Sequence, residues 1–184
     1  MSDRRAIRLS RLVTLADGGQ FKMRPLDRGD AHYFVEHWPE LSERSRYLRF
    51  CAPKEQLAAS EIAFLVAADQ IRHVAVGALD LADPVPRPAA VGRYFRTRPD
   101  GADADLAITV LDAWQGRGLG RAVFELLKAD ARRQGIDRFR ATLMWDNGAV
   151  QHLVNAWGGQ LVDRHRGMAE ALIPLSRSAQ AGLS

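Results

Sequence analysis

The chain has 184 residues, of which 47% are hydrophobic and 26% charged; this length and balance suit one globular domain and exclude disordered, collagen-like and membrane classes. Its apolar runs, such as Ile62 to Ala68, fall far short of the ~20 residues a spanning helix needs, no secretory signal follows the basic start, and a single cysteine, Cys51, excludes an internal disulfide, so a cytoplasmic protein is expected. The net charge of +4, carried by arginines at all basic positions but Lys22, Lys54 and Lys128, favours a phosphate-bearing partner; without any long basic run, no nucleic-acid surface is expected.

Residues 1–11 are polar and arginine-rich and residues 176–184 small and polar, so both ends are expected to be mobile and residues 12–175 to form the domain. Two alternating stretches between Leu12 and Leu26 flank Ala16-Asp17-Gly18-Gly19 and read as a hairpin. Asp27 or Asp30 then caps a helix running to Trp38, which Pro39 ends. Helices are predicted over Ser42 to Arg49 and over Pro53 to Ala68, the second from Leu57, Ile62, Phe64 and Leu65. Three strands follow, His73 to Leu81, Ala89 to Arg96 and Ala104 to Leu111, joined by short proline- and glycine-bearing turns into an antiparallel meander. Gly118 to Gln134 has Leu119, Val123, Leu126 and Leu127 on one helical face and Gly135 as its stop. A strand (Phe139 to Trp145), a helix (Ala149 to Trp157) and a closing strand pair (Gln160 to Arg164, Ala169 to Leu175) complete an α+β domain with a mixed, mostly antiparallel sheet of six to seven strands flanked by helices.

The segment richest in chemistry is Val110-Leu111-Asp112-Ala113-Trp114-Gln115-Gly116-Arg117-Gly118-Leu119-Gly120-Arg121, between a strand and an amphipathic helix. Its glycines let the backbone approach a bulky anion, the free N–H groups of the helix start point toward it, and Arg117 and Arg121 add positive charge, which together make a pyrophosphate cradle. A P-loop would require Gly-Lys-Ser/Thr at its end, where Gly120-Arg121-Ala122 stands.

This segment resembles the signature of the GNAT superfamily of acyl-CoA-dependent N-acyltransferases, with Val110, Gln115, Gly116, Gly118 and Gly120 at the matching places. Asn147 through Gly158 is similar to that family's second landmark, with Gly159 where it has a phenylalanine. Ser42 to Phe50, His73-Val74-Ala75-Val76 and Gly92-Arg93-Tyr94 look like the Pat-type protein lysine acetyltransferases within it. The resemblance implies the GNAT fold and acetyl-CoA as cosubstrate, its pyrophosphate held by Gln115, Gly116, Arg117, Gly118, Leu119, Gly120 and Arg121. It also implies that the pantetheine arm pairs with the main chain near Val110 and Leu111, and that Asn147 touches the cofactor, although asparagine is equally a favoured helix cap. Pat-type proteins often carry a regulatory domain beside the catalytic one, for which 184 residues leave no room.

Moving an acetyl group to an amine requires a neutral amine, and a free lysine titrates near pH ~10.4, so a base must take a proton. Period-two alternation sets Leu106, Ile108 and Val110 on one face of the strand and Asp105, Ala107 and Thr109 on the other. Asp105 stands where Pat-type enzymes resembling this chain place a glutamate base, one methylene shorter, and is the expected catalytic residue, acting directly or through water. Asp103 and Glu170 are the fallback carboxylates. Val154 occupies the place of the tyrosine acid found in many such enzymes. His73, His152 and His165 are read as structural, and no spacing of His, Cys and Asp suggests a metal site. The expected reaction is acetyl transfer in a ternary complex to a protein lysine or, as the alternative, to a small amine; a silent acyl-CoA sensor is the non-enzymatic alternative.

Overall fold

The computed structural model describes residues 9–175; the two ends expected to be mobile lie, save residues 9–11, outside these. Leu9, within that N-terminal stretch, is fully buried. Eight strands, one or two more than expected, form one sheet in the order β1-β2-β3-β4-β5-β6-β8-β7: β1 Arg11–Thr14, β2 Gln20–Pro25, β3 His73–Asp80, β4 Arg87–Arg96, β5 Asp103–Val110, β6 Arg138–Met144, β7 Gln160–His165 and β8 Met168–Pro174. All neighbours are antiparallel except β5 and β6. Five α-helices accompany them among the described residues: α1 Ala31–Glu36, α2 Glu43–Phe50, α3 Ala59–Val66, α4 Leu119–Arg133 and α5 Gly148–Ala156.

The predicted hairpin, meander and α4 stand as read. The first helix is shorter: a 3-10 turn at Arg28–Asp30 precedes α1, which ends at Glu36, and Pro39 lies inside a second 3-10 turn, Trp38–Glu40. Asp27 caps that first turn through Gly29 N–H, while Asp30 turns inward to Arg24. The helix predicted from Pro53 begins only at Ala59, because Glu61 accepts both the Ala58 N–H and the Lys54 ammonium, fixing the helix start there.

Both faces of the central strands are covered, and β3 is buried along His73 to Ala78. On one face α4 lays Leu119, Val123, Phe124, Leu126 and Leu127 against β4 and β5. Gly92 admits this contact, since a Cβ there would stand 2.3 Å from Val123 Cγ1 and 2.9 Å from Leu127 Cδ1. Phe124 stacks on Trp157 at 3.7 Å between ring centres and meets Phe139 edge-on, so α4 also pins β6 and the end of α5. The opposite face is covered by α1, α2 and α3, with Arg93 donating to the Leu65 carbonyl and Arg49 to the Thr109 hydroxyl. The Arg24–Asp30 pair at the end of β2 is doubly hydrogen-bonded at 2.8 and 2.5 Å. Among the described residues no helix is long and apolar enough to cross a membrane.

Candidate active site

The parallel pairing of β5 and β6 is brief. It holds Asp103 to Arg138, Ala104 to Phe139 and Asp105 to Arg140, and then stops. Beyond Asp105, β5 remains paired to β4 through Val110 and β6 to β8 through Met144, so the two strands part and Leu106 to Val110 lose a backbone partner on that side. The result is a slot whose apex is Asp105 and whose mouth is the glycine-rich loop. An extended ligand with amide groups can pair with the free strand edge there.

At the mouth, a 3-10 turn at Asp112–Trp114 follows β5, and Trp114 Nε1 donates to Asp80 at 2.7 Å, locking the turn to the end of β3. The Gln115 amide donates to Val110 O, Asp112 Oδ1 and Ser45 Oγ, and Asp112 Oδ2 accepts the Ser42 N–H, so the loop is tied both to β5 and to the start of α2. Gly116 and Gly118 adopt φ of +73° and +90°, the left-handed region that disfavours residues with a Cβ. Gly118 sits at the N-cap of α4 and offers no side chain to its first-turn N–H groups, which are left as donors for a ligand. No atom lies within 4 Å of where a Cβ would project from Gly116 or Gly118, while one on Gly120 would approach Val110 Cγ2 to 3.4 Å. Open space at the first two and close helix packing at the third suit a pyrophosphate bound to backbone donors.

The arginines of this loop part company. Arg117 Nε binds Asp17 Oδ2 at 2.5 Å, which ties it to the β1–β2 turn. Its charge, expected to add to the cradle, is thus partnered by a carboxylate. Arg121 is exposed on the first turn of α4. Asn147 Oδ1 accepts the Val150 N–H at 3.2 Å, so this residue caps α5 and is largely buried. Val154 is buried in the core, and Gly159 has no room for a larger residue, since a Cβ would meet Ile173 and Val154 at 2.9 Å.

Asp103 and Asp105 occupy the same face of β5, flanking buried Ala104, and their environments differ. Asp103 is bound by Arg138 at 2.8 and 3.1 Å, which holds its carboxyl below the usual range. Asp105 is exposed, and among the described residues its carboxylate forms no hydrogen bond. The Arg140 guanidinium, which could have served it, donates to Glu170 at 2.5 Å. Partial burial, with Glu170 and Asp103 adding to it and Arg140 opposing, lifts the Asp105 carboxyl above its ordinary pKa. Two carboxylates two residues apart are thus pushed in opposite directions. His73 is buried and faces Arg93, whereas His152 and His165 are exposed. No cluster able to hold a metal occurs among the described residues.

Sequence reading missed Arg49, Thr109 and Arg93 as a group. Arg93 shares one face of β4 with Ala89 and Val91, and a charge within such an apolar alternation was the available signal.

The model of the Acetyltransferase (GNAT) family matches residues 29–158. An acetyltransferase named Pat from Mycolicibacterium smegmatis is 29% identical over 88% of this chain and 48% of its own, so this chain spans about half the length of that relative. An acetyltransferase of Pseudomonas aeruginosa is 27% identical over 79% of this chain and 77% of its own. The crystal structure of the GNAT domain of S. lividans PAT superposes with a TM-score of 0.82 at 27% identity, covering 90% of this chain and 97% of that one. A Salmonella typhimurium protein described as a putative acetyltransferase with its cofactor acetyl-CoA shares the fold, with a TM-score of 0.66 at 17% identity over 89% of this chain and 99% of that one.

Proposed function

The chain belongs to the GNAT acetyltransferase family, and from that premise we propose that it transfers the acetyl group of acetyl-CoA directly to a primary amine, first of all the side chain of a protein lysine. The observation that carries this reading is the parting of β5 from β6 immediately beyond Asp105, which leads from a carboxylate to a glycine-rich helix start along one unpaired strand edge. Acetyl-CoA supplies an activated thioester, and this chain positions and deprotonates the amine that attacks it. The N–H groups from Gly116 to Gly120 bind pyrophosphate, and the edge of Leu106 to Val110 aligns the pantetheine arm. Asp105, one methylene shorter than a glutamate, takes the ammonium proton directly or through one water, so that the amine nitrogen attacks as a neutral nucleophile. Val154 offers no proton to the departing thiolate, so water supplies it. The similarity to Pat supports a lysine acceptor, and the single cysteine suits a reducing, cytoplasmic setting.

Incubation with acetyl-CoA labelled in the acetyl group and separate pools of cell proteins and small amines tests the proposal. Label on protein lysines is the expected result. Label confined to small amines overturns the choice of acceptor, and label on neither overturns the transfer itself.

A further inference from the structure

Along the face of β5 that carries Asp105, Ala107 and Thr109 form the wall of a cavity of about 100 Å³, enclosed by the sheet and the three helices α1 to α3. Its lining is largely apolar, with Trp38, Leu41, Phe50, Leu65 and Val91, yet three arginines enter it, Arg24, Arg49 and Arg93. Arg93 is 7% exposed. Its Nη1 donates to Leu65 O at 3.0 Å and faces His73 Nε2 at 3.2 Å, while Nη2 is buried without a partner. Arg49 donates through Nε to Thr109 at 3.0 Å. Among the described residues no carboxylate pairs with either. Asp30, the acid in the lining, is already held by both terminal nitrogens of Arg24. Burial, and then the charge of Arg49, bring the pKa of Arg93 down to about 10, and burial and Arg93 likewise lower that of His73. Two cations thus share one cavity, near enough that the charge of Arg49 acts on Arg93, and neither is paired to a carboxylate, a state that a bound anion relieves.

We propose that Arg93 and Arg49 bind a carboxylate carried by the acceptor, so that the preferred substrates are amines that also bear a carboxylate. This rests on the reading of the Asp105 side of the slot as the acceptor side. The planar guanidinium matches a carboxylate in a forked pair. The cavity is smaller than the ~150 Å³ that admits a benzene ring, so it takes a carboxylate and its nearest methylenes. Thr109 lies four residues from Asp105, ~13 Å along the strand, so several methylenes separate the two groups of the acceptor, as in lysine. The carboxylate comes either from free lysine itself or from an acidic residue beside a peptide lysine.

Two matched pairs of acceptors distinguish these sources: lysine against 1,5-diaminopentane, which lacks only the carboxylate, and a lysine peptide with a neighbouring glutamate against the same peptide with glutamine. The expected preference in kcat/KM for the carboxylate-bearing member of one pair is about 10- to 100-fold, the range of a charge-assisted fork, and the pair that shows it identifies the source. Arg93→Met should bring that preference to near one while acetyl-CoA still raises its melting temperature; where Arg93→Met does not fold, Arg49→Met serves. Independently of turnover, hexanoate should change the tryptophan fluorescence saturably, through Trp38 in the cavity lining, in the wild type and not in the variant, with hexylamine as the inert control. Equal kcat/KM within both pairs, a preference that survives in the folded variant, or no saturable response to hexanoate overturns the proposal. If the wild type acetylates none of these amines, the reading of the acceptor side falls, and the hexanoate titration still decides the cavity.

Discussion

The two ends of β5 are built by opposite means. At its start, Asp103 and Asp105 lie in a patch of side-chain charges with Arg138, Arg140 and Glu170, and the backbone is fully paired on both sides. At its end, the side chains Ile108 and Val110 merely pack, one backbone edge is open, and the loop beyond relies on N–H groups and glycine geometry. On the proposed reading, side chains handle protons where backbone pairing is complete, and the backbone itself is the binding surface where it is not.

The sharpest test of this division is Asp105→Asn, which keeps the shape and removes the basic oxygen. Turnover should fall by about 10² to 10⁴, with acetyl-CoA affinity unchanged by calorimetry. Because the folded protein holds this carboxyl above its ordinary pKa, ionising it disfavours folding: stability falls as pH rises from the unfolded value through the folded one. Asp105→Asn removes that loss, so its melting temperature at pH 7 should equal or exceed the wild type's. In the wild type, kcat/KM should fall as pH drops through the raised pKa; a variant as active as the wild type at pH 7 removes Asp105 from the chemistry.

At the other end, Gly120→Asp adds bulk beside Val110 and a negative charge at the anion site. Acetyl-CoA affinity should fall ~100-fold or more, and titration calorimetry showing equal binding would refute the cradle. Gly92→Ala probes the packing that sets α4 against β4 and β5. Overpacking Val123 and Leu127 should cost about 1–3 kcal/mol in urea unfolding; an unchanged midpoint would mean that α4 shifts freely. The smallest effect belongs to Asp103→Asn, which breaks a half-exposed pair worth ~1 kcal/mol or less. By removing a neighbouring negative charge it should also move the acidic limb of kcat/KM to lower pH, and a limb that stays in place would uncouple Asp103 from Asp105.

Local pattern makes one of these ends more legible than the other. The glycines, the strand before them and the helical face after them are adjacent in the chain, so the cradle can be read residue by residue. The alternation of β5 likewise places Asp105 opposite Leu106. Contacts between distant segments have no such signature: Arg117 reaches Asp17, 100 residues away, and Arg49 reaches Thr109, 60 residues away, only because α2 and the hairpin turn fold over the sheet. The helix predicted from Pro53 starts later, at Ala59, for a related reason. Leu57 faces the cavity from an irregular segment, which helical spacing alone cannot distinguish from a further turn of helix.

The order of strands bears on how the molecule comes into being. From β1 to β5, each strand lies beside its predecessor in sequence, so this half can zip together on the growing chain, each new strand finding its edge already in place. The other half works differently: β6 must cross over through α4 to lie parallel to β5, and β8, made last, inserts between β6 and β7. The last of the described strands thus completes the sheet by insertion rather than by adding to an edge. Until it does, β6 has only its brief pairing with β5, and the slot between them has no fixed width.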